Sequence, residues 1–345
     1  MVELAKLRRR DFLRLALAGG VALAVPLVGS RLASLASALP DGRAPFLKSV
    51  NAMGTTISFR VEDDIDQSSA DGAVTSAVNE INRLERLLTR FPGGTDVCQL
   101  NLSGVLESPS PDVVAVIQKA TAFSDGTQGS FDITVKPVLD LLQDYLNGQP
   151  FPTDAQFESA RALIGYEWVS ASANDASLSK TGMGVTLDGI AEGYILDRSV
   201  TVLRSLGIRS ALVNVGGTIA TIGSRANGDP WQVGIMDPVD TTRTIGTLQL
   251  RDQAVATSGD YENYFTPDRS YYHVIDPFTA RSPLFSHSAT VVADTAMEAD
   301  PLGVALMVEE PAQGMKLADA FPSQCLVYTR GGDILTTSGM KGLMT

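Results

Sequence analysis

Between Ala254 and Pro277 the chain sets out groups that could do chemistry on a phosphate ester. The apolar run Ala254-Val255-Ala256 gives way to Thr257, Ser258 and Gly259, which offer hydroxyls and open backbone amides. A second run, Tyr271–Ile275, delivers His273, one of two histidines in 345 residues, and Asp276 follows it closely. An imidazole titrates near neutrality, so it can take a proton from a weak alcohol nucleophile. The same pattern also suits a half-buried histidine on a strand. His287, within Phe285-Ser286-His287-Ser288, has no comparable setting and reads as a surface residue.

Three further segments carry groups of the same kind. Leu187-Asp188-Gly189-Ile190-Ala191-Glu192-Gly193-Tyr194 passes from an apolar run into a helical pattern. Its glycines permit close approach, and the first amides of a helix suit a phosphate. A plain strand-to-helix turn with Asp188 as N-cap explains it as well. Val213-Asn214-Val215-Gly216-Gly217-Thr218 reads first as a turn between strands. Thr295-Ala296-Met297-Glu298-Ala299-Asp300 opens a helix, where carboxylates complement the dipole. The same spacing would let Asp300 serve as an oxygen ligand to Mg²⁺.

The elements that must position these groups are mixed. Ser68–Arg90 and Asp112–Asp125 have helical apolar stripes, and Gly129–Asp144 turns before continuing as a helix past Pro137. Ile190–Leu206 and Ala296–Val308 are expected helices. Thr55–Val61, Val185–Leu187, Ser210–Asn214, Thr218–Ile222, Trp231–Met236, Thr247–Leu250, Ala254–Thr257, Tyr271–Ile275, Ser288–Val292 and Gln324–Thr329 are expected strands. This irregular alternation predicts an α+β fold, mixed α/β with a largely antiparallel sheet. No Gly-x-Gly-x-x-Gly follows a strand and no Gly-Lys-Ser loop is present, so a doubly wound nucleotide fold is not expected.

Residues 1–38 read as an export signal: Arg8-Arg9-Arg10-Asp11-Phe12 is of twin-arginine character, Leu15–Gly29 is apolar, and Ala36-Ser37-Ala38 offers a cleavage site. Residues 39–45 read as a linker and 46–345 as one domain, with room for two lobes. The segment holds six basic and two acidic residues, so its removal takes the net charge from −12 to −16. Such a balance argues against nucleic acid as a partner. It also requires local devices, namely a cation, helix N-termini and backbone amides, to meet an anionic substrate. Cys98 and Cys325 make neither a disulfide framework nor a zinc site; a single disulfide between them is permitted.

Taken in order, these segments resemble the ApbE-like family of FAD:protein FMN transferases. The landmarks are Met53-Gly54-Thr55-Thr56, Leu87–Phe91 with Leu100-Asn101, Gly129–Thr134, Leu187–Tyr194 with Asp197-Arg198, Val213–Gly217, Trp231–Pro238, Ala254–Phe265, His273–Pro277 and Thr295–Asp300. The resemblance implies a periplasmic or extracytoplasmic enzyme that binds FAD with Mg²⁺. It would move FMN onto a threonine hydroxyl of a partner flavoprotein and release AMP. Met53, Gly54 and Thr55 would border the flavin, with Phe131, Asp132 and Ile275 nearby. Asp188, Gly189, Ile190, Ala191, Gly193, Tyr194, Ser258 and Gly259 would follow the ribose and pyrophosphate. Asp300 and the Ala191 carbonyl would hold Mg²⁺, and His273 would accept the threonine proton. The chain has no Asp-Gly-x-Thr-Gly-Ala-Thr acceptor motif, so the resemblance implies a separate acceptor protein.

The chain departs from the family pattern at several places. Val304 stands where a threonine is usual, Glu192 where lysine is, Thr218 and Ala220 where Asp and Arg are common, and Thr279-Ala280 where Thr-Gly is. The expected alternatives are an FAD-binding protein without transfer activity, or an FAD pyrophosphatase that uses water and yields FMN and AMP.

Overall fold

The computed structural model describes Leu39, residues 42–90 and residues 93–345. The expected signal, residues 1–38, lies outside the described residues, as do Pro40 and Asp41 of the linker and Phe91 and Pro92. Among the described residues no helix is long and apolar enough to cross a membrane.

In chain order the strands are β1 (Phe46–Ala52), β2 (Thr55–Val61), β3 (Val105–Glu107), β4 (Val169–Ala171), β5 (Asp175–Leu178), β6 (Ala211–Val215), β7 (Thr218–Ile222), β8 (Trp231–Met236), β9 (Thr244–Leu250), β10 (Ala254–Gly259), β11 (Ser286–Ala293), β12 (Gln324–Thr329) and β13 (Ile334–Thr336). Eight of them form one sheet in the order β1-β2-β6-β7-β10-β11-β12-β13. Its ladders are antiparallel, as expected from the sequence. Register follows burial: Ile57 faces Val215 and Phe59 faces Val213, and all four are buried.

The helices are α1 (Gln67–Leu88), α2 (Asp96–Ser103), α3 (Pro111–Gly126), α4 (Lys136–Leu146), α5 (Asp154–Arg161), α6 (Ala191–Ser205), α7 (Ala296–Val308), α8 (Pro311–Ala318) and α9 (Ser338–Leu343). Asp66 caps α1 by accepting the Ser69 N–H, and Val74, Ile81, Leu84 and Leu88 bury its inner stripe. α6 packs between α1 and α7, and α7 lies on β10 and β11. Helix α7 is apolar nearly all round because sheet and helices enclose it.

Two expected strands are not strands. In Val185–Leu187 the Asn101 side chain brackets Val185, donating to its carbonyl (2.8 Å) and accepting from its N–H (2.6 Å). The Thr186 N–H goes to the Ile133 carbonyl (2.7 Å), which leaves the segment no ladder to join. Tyr271–Ile275 likewise runs through a loop: Tyr272 donates to Ser282 Oγ (2.8 Å) and His273 donates its backbone N–H to the Asn263 carbonyl (2.9 Å). Cys98 and Cys325 are both buried and free, so the permitted disulfide is not formed.

Candidate active site

Several turns deliver the site. The β1–β2 hairpin has a two-residue tip, Met53-Gly54, with φ of 54° and 72°. Glycine accepts this conformation readily; methionine does so against a steric cost that the two-residue hairpin turn imposes. The Gly216-Gly217 turn between β6 and β7 comes up beside it. A Cβ on Gly216 would sit 3.3 Å from Thr55 Oγ1 and 3.4 Å from Glu192 Oε2, so hairpin, turn and the start of α6 converge.

Helices α6 and α7 meet at the same place. A Cβ on Gly193 would fall on the Ala296 carbonyl, so glycine is what lets the two helices touch. Asp197 of α6 accepts the first two N–H groups of α7, from Ala296 (2.9 Å) and Met297 (2.8 Å). This carboxylate caps α7 in place of Thr295, whose side chain makes no cap bond. Asp300, one turn further, accepts the Gly193 N–H at 3.3 Å. Val304 follows by one more turn; a Cβ on Gly189 would lie 3.2 Å from its Cγ2 and 3.3 Å from the Phe131 ring. The Val304 position is therefore apolar contact surface.

Acidic groups dominate the electrostatics. Burial first, then Glu192, Asp197 and Asp188, hold Asp300 well above the usual carboxylate range, and the Gly193 N–H opposes them. Glu192 is pushed up to about 7 by burial and by Asp188, against a hydrogen bond from Thr218. Glu262, on the loop after β10, is also raised to about 7, by burial and by Glu192. Burial lowers His273 below its ordinary value, opposed by the Asn263 carbonyl and by Asp188. Its Nδ1 is buried without a hydrogen-bond partner among the described residues. Asp188 raises the pKa of both His273 and Asp300.

This crowding predicts a pH dependence of stability. A carboxyl whose pKa is raised by folding stabilises the fold below its unfolded value, and that contribution is lost as pH rises through the folded value. Asp132 and Asp197 rise from 3.8 to about 6, and Glu192 from 4.5 to about 7, which sets the window. His273 opposes: its lowered pKa gives stability that is present above 6.5 and lost as pH falls through the folded value. Three groups outweigh one, so the melting temperature of the ligand-free protein should fall between about pH 5 and about pH 7. Thermal melts across that range check it; a rising curve would contradict it.

Some expected site residues are engaged elsewhere. Tyr194 gives its hydroxyl to Asp112 of α3 (2.7 Å), away from the start of α6. Asp132 accepts from the Thr134 N–H (2.7 Å), the Thr134 hydroxyl (2.6 Å) and the Tyr166 N–H (3.0 Å), which makes it the holder of its own turn. Phe131 and Ile275 are core residues, the first edge-on to Phe123 and the second packed with Val135, Leu139 and Phe157. Asp188 is not the α6 cap; its Oδ2 accepts from Arg90 Nε at 2.7 Å. Ser258 and Gly259 end β10, where the Tyr261 ring folds back over Gly259. Ile190 and Ala191 are buried at the start of α6, so what they can offer a ligand is backbone.

Ala280, the departure from Thr-Gly, sits at φ 54° and is fully buried. A Cβ in this region costs about 1 kcal/mol or more. Ala280→Gly should stabilise the protein by up to about 1 kcal/mol, read as a higher urea midpoint. An unchanged or lower midpoint would show that the Ala280 methyl packs better than it strains.

Sequence reasoning missed Glu262, Asp197 as the α7 cap, Arg90, and a pairing that corrects the reading of His287. His287 is partly buried, and its Nδ1 lies 2.8 Å from Asp260 Oδ2. Within Ala254–Phe265, Asp260 and Glu262 were on view, but their partners lie far along the chain. A groove of about 570 Å³ lined by Lys316, Asp319, Thr336 and Lys341 contains none of the site residues.

The chain matches the ApbE family model over residues 53–328. A FAD:protein FMN transferase of Vibrio cholerae is 34% identical over 230 residues, covering 65% of this chain and 69% of its own length. One of Salmonella typhimurium is 32% identical over 256 residues, with 71% and 73% covered. The crystal structure of the ApbE protein of Thermotoga maritima superposes with a TM-score of 0.80 at 28% identity, over 87% of this chain and 99% of the other. Flavin transferase ApbE from Vibrio cholerae gives a TM-score of 0.75 at 28% identity, with the same coverage. With a family match that spans most of the chain and a shared fold, this protein belongs to the ApbE family.

Proposed function

We propose that the chain transfers the FMN half of FAD to a threonine hydroxyl of a separate acceptor protein and releases AMP. The observation that carries this reading is the convergence of the β1–β2 hairpin, the Gly216-Gly217 turn and the glycine-rich start of α6, with Asp300 accepting the Gly193 N–H. A bond forms between the threonine Oγ and the FMN phosphorus, the bond to the AMP oxygen breaks, and the threonine proton passes to the imidazole. Burial keeps His273 uncharged and so able to accept it. The glycine-rich start of α6 gives the phosphates close approach, and the Met53-Gly54 tip and Thr55 border the flavin.

Asp300 is the carboxylate a hard cation would use, with the Gly193 N–H as its one donor. Asp300 lies among Glu192, Asp197 and Asp188 with one N–H donor to offset them. Among the described residues no group of three or more His, Cys, Asp or Glu could hold a metal. A Mg²⁺ held by Asp300 and the Ala191 carbonyl would complete its shell from phosphate oxygens and water, as Mg²⁺ commonly does. When bound it supplies neutralisation of charge developing on the phosphate oxygens. The export reading of residues 1–38 puts the acceptor outside the cytoplasm, as a redox-complex subunit or an extracytoplasmic reductase.

Purified protein mixed with FAD, MgCl₂ and an acceptor domain bearing Asp-Gly-x-Thr-Gly-Ala-Thr should release AMP and leave FMN bound to the acceptor. No AMP with any divalent cation would remove the reading. AMP and free FMN without acceptor would indicate a pyrophosphatase. Val304 and Glu192 favour a second reading, an FAD-binding protein without transfer. It predicts bound FAD with no turnover, and a gain of activity in Val304→Thr with Glu192→Lys.

A further inference from the structure

The 260–285 loop leaves the sheet after Gly259 and returns at Ser286, carrying Glu262 and His273 between. At its foot lies Asp260, fully buried. The Asp260 N–H donates to the His287 carbonyl (3.0 Å). Oδ2 accepts from Arg330 Nη2 (2.9 Å) and lies 2.8 Å from His287 Nδ1. Arg269, at the far turn of the loop, places Nη1 3.8 Å from Oδ1. Arg330 Nη2 also reaches the Arg269 carbonyl (3.3 Å), and the Arg330 N–H donates to the Phe285 carbonyl (2.9 Å).

One carboxylate therefore joins the outgoing foot, the far turn, the returning foot and the end of β12. The cluster is poor as a source of stability. Asp260 Oδ1 has no hydrogen bond among the described residues, and a buried ion pair seldom recovers its desolvation cost. What such a cluster can supply is a fixed position. The middle of the segment is held by its own packing: Tyr272, fully buried, donates its hydroxyl to the Pro283 carbonyl (2.7 Å), Val274 and Ile275 are buried, and the His273 N–H donates to the Asn263 carbonyl, while Asp260 ties the feet.

We infer that Asp260 is a positioning residue for His273: by tying the loop to the sheet at both feet, it sets where the imidazole stands relative to the phosphates. This rests on the transfer reading given above. A displacement of about 1 Å at a reacting group can cost roughly 10²-fold in rate.

The test measures kcat and KM for FAD with full-length protein, MgCl₂ and the same acceptor domain. Asp260→Asn should lower kcat by roughly 10²-fold, with KM for FAD within about threefold of the parent. With two histidines in the chain, imidazole NMR gives two assignable rings. The His273 signals should broaden or shift in Asp260→Asn while amide dispersion persists. Arg330→Lys should retain more kcat than Arg330→Met. An unchanged kcat, or a fall in kcat matched by a rise in KM and general loss of dispersion, overturns the inference. Should Asp260→Asn fail to fold, the two Arg330 variants decide it by the same split. His273→Ala separates the two layers: if that variant still transfers, the proton-acceptor reading fails. If it is inactive while Asp260→Asn turns over normally, the clamp alone fails.

Discussion

His273→Ala should transfer FMN roughly 10²–10⁴-fold more slowly than the parent, with FAD affinity changed by no more than a few-fold. The threonine hydroxyl is a weak nucleophile until its proton is taken, and the imidazole is the nearby group that can take it without first losing one. Its Nδ1 makes no hydrogen bond among the described residues, so truncation breaks none at that atom. The backbone anchor to Asn263 does not depend on the side chain. The pH profile gives a second reading. Burial lowers the imidazole below its ordinary 6.5, so the accepting form persists to lower pH. The acid limb of kcat/KM in the parent should lie below that value and vanish in the variant. Imidazole added to the buffer should restore part of the rate by filling the space. If affinity and rate fall together, His273 is structural and the proton acceptor lies elsewhere.

Asp300→Asn is expected to move activity and stability in opposite directions. Transfer should fall roughly 10²-fold or more, because an amide is a poor substitute for a carboxylate on a hard cation. The ligand-free protein should melt at a higher temperature. In the parent at neutral pH, Asp300 is buried among Glu192, Asp197 and Asp188, so its ionised form is disfavoured by the fold. Asparagine removes that repulsion and still offers a carbonyl oxygen to the Gly193 N–H. Rates titrated with MgCl₂ and melts without it, taken on the same preparation, provide both readings. Full activity at ordinary Mg²⁺ would show that Asp300 holds no cation. A lower melting temperature would show that the carboxylate is held by more than the one N–H.

Much of the scaffold was legible because local pattern decides it. β7 falls on Thr218–Ile222 as expected, and α1 differs from expectation by one or two residues at each end, since its apolar stripe and cap lie within the segment itself. The Gly-rich turns could also be found, because glycine is demanded by backbone geometry at Gly54, Gly216 and Gly217. Val185–Leu187 was misread for the converse reason. Its composition is that of a strand, but Asn101, 84 positions away, takes its hydrogen bonds. His287 was misread similarly, since its partner Asp260 lies 27 positions back. Tyr194 and Asp132 illustrate the same limit at the site. A side chain beside a glycine-rich turn can point either way, and the choice is made by Asp112 on another helix or by Thr134 and Tyr166 across a turn.

The carboxylate that α6 lends to the start of α7 joins the glycine-rich start of α6 to the helix that carries Asp300, while the imidazole arrives on a long excursion from the sheet. The two helices are thus locked to each other, and the loop that carries His273 is anchored independently, so on the transfer reading a change in the loop's anchors would disturb the proton acceptor and leave the helix pair in place.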